Sequence, residues 1–343
     1  MSGLVVHTPN WLGDSIMCRP AVASLLCGHG KSPAVVVAHP RVAALWRAWP
    51  GLHVVETRPG PWLADAIGTA GQLRRIGRFE HGYLFSASFR SAATLVLAGV
   101  AHRIGFAAGG RSFLLTDPVP RLPAGRLHYS REFRNLLPPG APAVAVPGLS
   151  WPEAAADRAR QLLDKAGLIN TGYAVIAPGS AGPAKRYPAA AWREVIRSLS
   201  AQIAVVLVGT STDVEVAAEV AREISPPPFN LCGATDLAEL AWVLAHAAGF
   251  VGADSGAAHL AAEMGCPAVV LFGPGDPRET APSGEQVRLL RDGLWCSPCR
   301  SRLCLRPEFP SECMDRIPPE QVVASLVGVL RSAPRWEAPA TKF

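Results

Sequence analysis

Residues 249–272 read GFVGADSGAAHLAAEMGCPAVVLF, and they carry the clearest indication of the fold class. The apolar residues 249–252 predict a buried strand, residues 256–264 an Ala-rich helix, and residues 268–272 a second buried strand. Strands that alternate with helices of this length are typical of a parallel sheet covered on both faces. Asp-Ser-Gly follows the first strand and begins the helix, at the edge of the sheet where such folds bind ligands.

The same alternation extends through the rest of the chain in both directions. Towards the C-terminal side of the chain it predicts helices at 153–166, 189–200, 213–224, 237–247 and 319–330, with strands at 173–177, 203–209 and 229–231. Towards the N-terminus it predicts strands at 4–7, 34–38, 53–55, 83–85 and 103–106, with helices at 15–26, 63–76, 91–98 and 129–137.

A Pro- and Ala-rich stretch, residues 138–152, separates the two series of elements and is the best candidate for a linker. The prediction is therefore an α/β protein of two Rossmann-like, doubly wound parallel-sheet domains that face a central cleft. We place them at residues 1–150 and 151–330, with a tail at 331–343. A chain of 343 residues is long enough for two cores.

The composition predicts a folded protein without a membrane-spanning segment. Apolar residues make up 49% of the chain and charged residues 17%, which is typical of a folded protein. The longest apolar runs are far shorter than the ~20 residues that a membrane span needs. No secretory signal pattern is visible at the N-terminus, so the expected location is the cytoplasm.

The positive charge is concentrated in the first half. Residues 1–150 carry 15 Lys and Arg against 6 Asp and Glu, a net +9, whereas the remainder carries 18 against 21, a net −3. A basic half indicates an anionic partner such as a phosphorylated substrate, a membrane surface or a nucleic acid. The alternative is the high arginine usage of a GC-rich genome. A nucleic-acid binder is disfavoured, because no basic stripe is interleaved with aromatic residues.

The loop after the first strand contains Asn10, Gly13 and Asp14. Gly13 permits a tight turn or a close approach of a ligand. Asp14 could cap the following helix, or it could be a carboxylate that accepts a proton. The loop lacks a Gly-x-Gly-x-x-Gly fingerprint, which argues against a nicotinamide- or flavin-dependent dehydrogenase.

Two loops of the second half predict a phosphate site. Residues 178–188 combine glycines with the adjacent cations Lys185 and Arg186, so they form either a phosphate cradle or a solvent-facing loop. At Asp254, Ser255 and Gly256 a helix begins, and its N-terminus favours an anion.

Further polar residues follow other strands of the second half. Asp213 could bind the ribose of a nucleotide or cap a helix. His259 lies one turn into the helix that begins at Gly256, where a histidine is usually structural. Gly273 belongs to a Gly- and Pro-rich loop after the last predicted core strand, which suits a loop over a ligand.

The eight cysteines fall into two groups. Cys296, Cys299, Cys304 and Cys313 have the spacing Cys-x2-Cys-x4-Cys-x8-Cys, which could hold zinc or belong to free or redox-variable thiols. The other four stand in apolar contexts that predict small buried side chains.

Several of these segments together resemble the ADP-heptose–lipopolysaccharide heptosyltransferases, glycosyltransferase family 9, and most closely the heptosyltransferase II branch. The resemblance covers about residues 4–330. It is carried by the run Asn10–Asp14, by residues 178–188 with Pro-Ala-Lys-Arg-Tyr-Pro, by residues 254–259 and by Phe272-Gly273-Pro274. The cysteine segment also looks like one found in members of the family.

The resemblance implies a GT-B fold, with an N-terminal acceptor domain and a C-terminal nucleotide-sugar domain. It implies inverting transfer of a heptose from ADP-heptose to the inner core of lipopolysaccharide, with no cofactor and no required metal. Asp14 would be the general base, and Asp213 would bind the ribose. The donor diphosphate would contact Ser180, Lys185, Asp254, Ser255 and Gly256.

The remaining implications concern partners and alternatives. Asn10, Gly13, His259 and Gly273 would line the site. The anionic, lipid-linked acceptor implies peripheral contact with the inner membrane. A family 9 enzyme with another nucleotide sugar or surface-glycan acceptor is an alternative, as is a non-catalytic nucleotide-binding module.

Overall fold

The computed structural model describes residues 3–29, 33–58, 60–169 and 171–332. The chain divides into two compact units between Ser150 and Trp151. Residues 138–152, where the linker is predicted, contain no helix or strand. From residue 333 onward the predicted tail lies outside the described residues.

The first unit is built on a six-stranded parallel sheet in the order β3-β2-β1-β4-β5-β6. Its strands are β1 (Gly3–His7), β2 (Ala34–Ala38), β3 (His53–Glu56), β4 (Phe79–Leu84), β5 (His102–Phe106) and β6 (Asp117–Val119). Its helices are α1 (Leu12–His29), α2 (Pro40–Arg47), α3 (Trp62–Ile76), α4 (Phe89–Leu97) and the short α5 (Tyr129–Glu132), which continues as a 3-10 turn at Phe133–Leu136.

Apolar strands in the middle of this sheet are buried on both faces. Val5 and Val6 are fully buried, and they point to opposite sides of β1. On one face Val6 packs with α1 and α2, and on the other Val5 packs with α3 and α4. Burial of both faces explains why the central strands read as continuous apolar runs.

The second unit repeats the plan, with a six-stranded parallel sheet in the order β12-β11-β10-β7-β8-β9. Its strands are β7 (Tyr173–Ala177), β8 (Ala204–Leu207), β9 (Phe229–Asn230), β10 (Gly249–Ala253), β11 (Ala268–Leu271) and β12 (Val287–Leu290). Its helices are α6 (Glu153–Asp164), α7 (Ala189–Ser200), α8 (Val214–Ala221), α9 (Leu237–Ala245), α10 (Gly256–Glu263), α11 (Pro277–Thr280), α12 (Glu312–Asp315) and α13 (Pro319–Ser332).

The two predicted Rossmann-like, parallel-sheet domains are confirmed. Five elements were not predicted from the sequence: the strands β6 and β12, the helix α2 and the four-residue helices α11 and α12. The two missed strands lie at sheet edges, and their partly exposed residues lack the continuous apolar run of the central strands. Helix α2 has eight residues and begins with a proline, so its apolar pattern is short.

Each sheet has one point at which its strand order reverses. In the first unit that switch point lies between β1 and β4, and in the second between β7 and β10. The loops that leave the C-terminal ends of these strands diverge there, and open α/β sheets bind ligands in the resulting crevice. Asp14 follows β1, Lys185 follows β7 and Asp254 follows β10, so these predicted residues lie at the switch points. Within the described ranges, no helix combines the length and apolar character needed to span a membrane.

Candidate functional site

An ion pair bridges the switch point of the second unit. Lys185, in the loop after β7, places its Nζ 2.6 Å from Oδ2 of Asp254, which directly follows β10. The Asp254 side chain is 7% exposed and the Lys185 side chain 33%. The carboxylate therefore anchors the lysine from the protein side while the ammonium keeps an open side toward a ligand.

The N-terminus of α10 lies beside this pair. Ser255 is its N-cap residue, but the serine makes no side-chain cap hydrogen bond. Its Oγ is buried and has no hydrogen-bond partner among the described residues. The first N–H groups of a helix have no partner within the helix and carry partial positive charge. One anion could therefore accept hydrogen bonds from the Lys185 ammonium, the Ser255 hydroxyl and the N–H groups at the start of α10.

Neighbouring loops contact each other along this edge of the sheet. A side chain added at Gly179, after β7, would meet Oδ1 of Asp213 at 2.1 Å, so glycine is needed where this carboxylate approaches. A side chain added at Gly275, after β11, would meet Oδ2 of Asp254 at 2.6 Å. The loops after β8, β7, β10 and β11 therefore form one continuous polar edge.

Asp213 belongs to this edge, and its carboxylate also stabilises its own turn. Oδ2 accepts hydrogen bonds from the backbone N of Thr210 at 2.8 Å and from the Thr210 hydroxyl at 2.7 Å. The side chain makes no cap hydrogen bond to α8. The acid is thus held in a fixed orientation beside Gly179.

The other residues predicted for this site are also found along the edge. Ser180 is partly exposed, and its hydroxyl donates to the carbonyl of Gly182 at 2.8 Å. His259 is buried one turn into α10. Gly273 lies just beyond the end of β11, and its carbonyl accepts a hydrogen bond from the Ser297 hydroxyl.

The cysteine segment, residues 296–313, supports the loops after β11 and β7. The backbone N of Arg300 donates to the Pro274 carbonyl at 2.7 Å, and its guanidinium pairs with the buried Asp276 and with Glu279. Hydrogen bonds from Arg278, together with its charge and that of Arg300, lower the pKa of Asp276. The carbonyl of Arg302 accepts from the N of Ala184, one residue before Lys185.

The four clustered cysteines line one cavity of about 200 Å³ next to Ala184 and Pro274. All four are free thiols. Burial and the neighbouring thiols raise the pKa of Cys313 to about 11. No three of the four sulfurs lie within 4.8 Å of one another. In a tetrahedral zinc site sulfurs would be about 3.8 Å apart, given zinc–sulfur bonds of ~2.3 Å.

The first unit places Asn10, Gly13 and Asp14 at its own switch point. Helix α1 begins at Leu12, so Asp14 lies in the first turn rather than at the cap. All three residues are partly exposed. An acid in the first turn is favoured by the helix dipole, and this position keeps Asp14 beside the end of β1.

His7 is a candidate that sequence analysis missed. It is the last residue of β1 and is 2% exposed, and its Nε2 has no hydrogen-bond partner among the described residues. Burial, with a smaller effect from Arg90 and Arg111, lowers its pKa to about 4. The imidazole is therefore neutral at pH 7. Its position at the end of a predicted strand could have identified His7 as a candidate from the sequence.

Arg111 was also missed, although it organises the same edge. It is fully buried and donates hydrogen bonds to the carbonyls of Ser86, Ser88 and Phe106 and to the Ser91 hydroxyl. Burial lowers its pKa to about 10, so it stays charged at pH 7. A lone arginine after Gly109-Gly110 carried no signal that it would be buried.

A second arginine lies close to this position. Arg90, one residue into α4, pairs at 3.1 Å with Asp65, whose side chain is 1% exposed. The pair joins the start of α4 to the first turn of α3. The edge of the first unit therefore has fixed positive groups around a neutral histidine.

Comparison with known proteins identifies relatives of this chain. The family model "Glycosyltransferase family 9 (heptosyltransferase)" matches residues 71–309. Lipopolysaccharide heptosyltransferase 2 of Escherichia coli strain K12 is 28% identical over 312 residues, which cover 84% of this chain and 87% of the relative.

Solved structures agree with the fold. The structure of E. coli ADP-heptose lps heptosyltransferase II superposes with a TM-score of 0.79 at 24% identity, covering 97% of this chain and 99% of that one. A family 9 glycosyl transferase from Veillonella parvula gives a TM-score of 0.86 at 19% identity, covering 97% and 98%. These structural matches establish the shared fold.

Proposed function

Because this chain belongs to glycosyltransferase family 9, the heptosyltransferases, we propose that it transfers a heptose from ADP-heptose to the inner core of lipopolysaccharide. The acceptor would be Kdo–lipid A or a heptosyl residue on it. The transfer would invert the anomeric carbon and need no metal. The observation that carries the proposal is the Lys185–Asp254 pair at a helix N-terminus, on a switch point of a family 9 chain.

The donor diphosphate would bind the second domain. Lys185 and the first N–H groups of α10 would neutralise the negative charge that develops on ADP as the sugar–oxygen bond breaks. The buried Ser255 Oγ would donate to a phosphate oxygen, and Ser180 would contact the same group. Asp254 would act mainly by orienting Lys185, since a carboxylate repels a diphosphate.

The nucleoside would extend from the diphosphate toward β8. Asp213 stands at the end of that strand, and its fixed carboxylate could accept hydrogen bonds from both ribose hydroxyls. A ribose on Asp213 and a diphosphate at Lys185 would occupy two loops that already touch through Gly179. This arrangement favours a nucleoside-diphosphate sugar as the donor.

Asp14 of the first domain would be the general base. In an inverting transfer the acceptor hydroxyl attacks the anomeric carbon from the face opposite the diphosphate. Its proton passes to the Asp14 carboxylate, the new glycosidic bond forms, and the electron pair of the broken bond leaves on ADP. Asn10, Gly13, His259 and Gly273 would line the site.

The acceptor would bind the first domain, which carries the net charge of +9. Lipid A and Kdo are anionic and membrane-linked, so a basic domain suits them. We therefore also propose peripheral contact with the inner face of the cytoplasmic membrane.

Incubation of the purified chain with ADP-heptose and a heptose-deficient core acceptor tests the proposal. We expect release of ADP, an inverted linkage by NMR, and unchanged turnover in EDTA. A parallel screen of ADP-, UDP- and GDP-sugars tests the donor. Turnover with a different sugar would refute ADP-heptose, and absence of turnover with every donor would refute the enzymatic proposal.

A further inference from the structure

The outer surface of α3 and α4 is apolar where it meets solvent. Trp62, Leu63 and Ile67 of α3 are each about half exposed, at 49%, 49% and 51%. Phe89 of α4 is 38% exposed, and Phe113, in the turn after β5, is 74% exposed. We call these five residues the aromatic face. Contiguous exposed apolar surface of this kind marks an interaction site.

Ring contacts make the aromatic face continuous. The rings of Trp62 and Phe89 meet edge to face at 5.5 Å between centroids, and Phe89 lies 6.1 Å from Phe113. Trp62 begins α3, Phe89 begins α4, and Phe113 follows β5. All three rings therefore lie at the C-terminal edge of the first sheet, the edge that also carries Asp14.

The charges around the aromatic face are positive. The only acidic residue in α3 or α4 is Asp65, which is 3% exposed and paired with Arg90. Arg58, just before α3, and Arg74 and Arg75, in its last turn, are exposed. Arg74 and Arg75 lie about 18 Å along the helix from Trp62, at a rise of about 1.5 Å per residue, whereas Arg58 approaches Gly68 next to Ile67. Apolar side chains beside this arginine, with no exposed carboxylate on the two helices, match the interface of a bilayer with anionic head groups.

We propose that the aromatic face is a membrane-docking surface that inserts Trp62, Phe89 and Phe113 into the interface of an anionic bilayer. Arg58 would contact lipid phosphates, and the net charge of +9 on the first domain would add longer-range attraction. The inference rests on the proposed function, because a lipid-linked acceptor places the reacting sugar at a bilayer. Docking through this face would hold the catalytic edge of the first domain against the surface that displays the acceptor.

Vesicle binding by the full chain tests the inference without donor or acceptor. We expect co-sedimentation with vesicles of phosphatidylethanolamine and phosphatidylglycerol (3:1), weaker binding to phosphatidylcholine, and weakening at high salt. The variant Trp62→Ser/Phe89→Ser/Phe113→Ser should lose about tenfold or more in partitioning. Trp62→Phe should retain most of the binding.

Matched controls separate docking from folding. Leu303→Ser removes an apolar side chain that is 67% exposed in the second unit, and it should leave vesicle binding unchanged. The triple variant should keep its ADP affinity and a cooperative thermal transition, because the replaced side chains lie at the surface of the first unit and are 38% to 74% exposed. It should also keep turnover on a lipid-free acceptor while losing turnover on an acceptor embedded in vesicles.

Three results would overturn the inference. One is equal vesicle binding by the wild type and the triple variant. Another is the absence of vesicle binding at low salt. The third is a wild-type dimer in sedimentation analysis that the triple variant abolishes, since the face would then join two copies. Vesicle binding without any turnover would instead refute the proposed function alone.

Discussion

The C-terminal edges of the two sheets have the same topology and different chemistry. In the second unit, four neighbouring loops touch in sequence, and an ion pair with a 2.6 Å contact spans the switch point. In the first unit, the corresponding edge has a buried neutral histidine, a buried arginine bonded to carbonyls, and exposed aromatic side chains.

The difference shows that ligand preference lies in the loops and not in the sheets. β1 ends in His7 and β7 ends in Ala177, although both strands lie at a switch point. A polar edge whose loops hold one another in place suits the small, highly charged diphosphate of the proposed donor. A basic edge beside apolar rings suits a large acceptor that has both anionic and lipid parts.

The prediction with the greatest expected loss of activity concerns Asp14, the proposed general base of the first unit. Asp14→Asn keeps the size and polarity of the side chain but removes the base, so kcat should fall about 10³-fold. ADP affinity should change less than about twofold, because the proposed ADP site lies in the second domain. Asp117→Asn, on the edge strand β6, is the control. Full activity of Asp14→Asn in a steady-state ADP-release assay would remove the base assignment.

A pH effect should be specific to the first unit. Burial lowers the pKa of His7 from 6.5 to about 4, so between these values the unfolded chain binds a proton that the folded chain does not. Stability should therefore fall as pH drops through this window, by up to about 3 kcal/mol for this group. The positive charges of Arg90 and Arg111 also lower the pKa of His7, whereas the Asp65 carboxylate and the hydrogen bond to the Thr8 carbonyl raise it.

Urea unfolding from pH 7 to pH 4.5 measures this contribution. His7→Gln should flatten the dependence of the free energy of unfolding on pH, whereas His53→Gln, at an exposed position, should not. Identical pH profiles for His7→Gln and the wild type would contradict the burial argument.

Loss of the Lys185–Asp254 ion pair should lower kcat/KM, because the pair lies at the proposed donor diphosphate site. Lys185→Ala should lower kcat/KM about 100-fold, because it removes a cation from the leaving group and leaves the Asp254 carboxylate unpaired beside it. The double variant Lys185→Ala/Asp254→Asn should recover part of that loss, since it removes the repulsion. Arg186→Ala, at the exposed neighbour, is the matched control. An equal loss in Arg186→Ala would show that overall loop charge matters more than the pair.

The smallest expected change is a loss of ADP affinity in Ser255→Ala, with Ser15→Ala as the matched variant. Ser255→Ala should weaken ADP binding about fivefold, read by calorimetry, with no loss of thermal stability, because its Oγ has no protein partner among the described residues. Ser15→Ala should do the reverse, since the Ser15 hydroxyl is buried and donates to the Pro9 carbonyl at 2.9 Å. It should cost about 1 kcal/mol of stability and leave ADP affinity unchanged. A stability loss in Ser255→Ala would argue against a ligand-binding role for its hydroxyl.

Much of the candidate donor site could be predicted because it follows buried strands. The runs at β7 and β10 are apolar throughout, so their ends are easy to recognise, and Lys185 and Asp254 come just after them. The contact between these two residues could not be predicted, since it depends on β7 and β10 being neighbours in the sheet. They are separated in sequence by β8 and β9.

Two parallel sheets covered by helices, with polar loops after their central strands, could be predicted from local sequence patterns alone. The physical reason is local, because an apolar run of strand length and an amphipathic helix are encoded within a few residues. The folded structure was needed to show which loops contact each other and that His7 and Arg111 are buried. It was also needed to show that Trp62, Phe89 and Phe113 are exposed. Burial and contact depend on residues that are distant in sequence. The identity of an apolar residue does not show whether its side chain packs in a core or faces solvent.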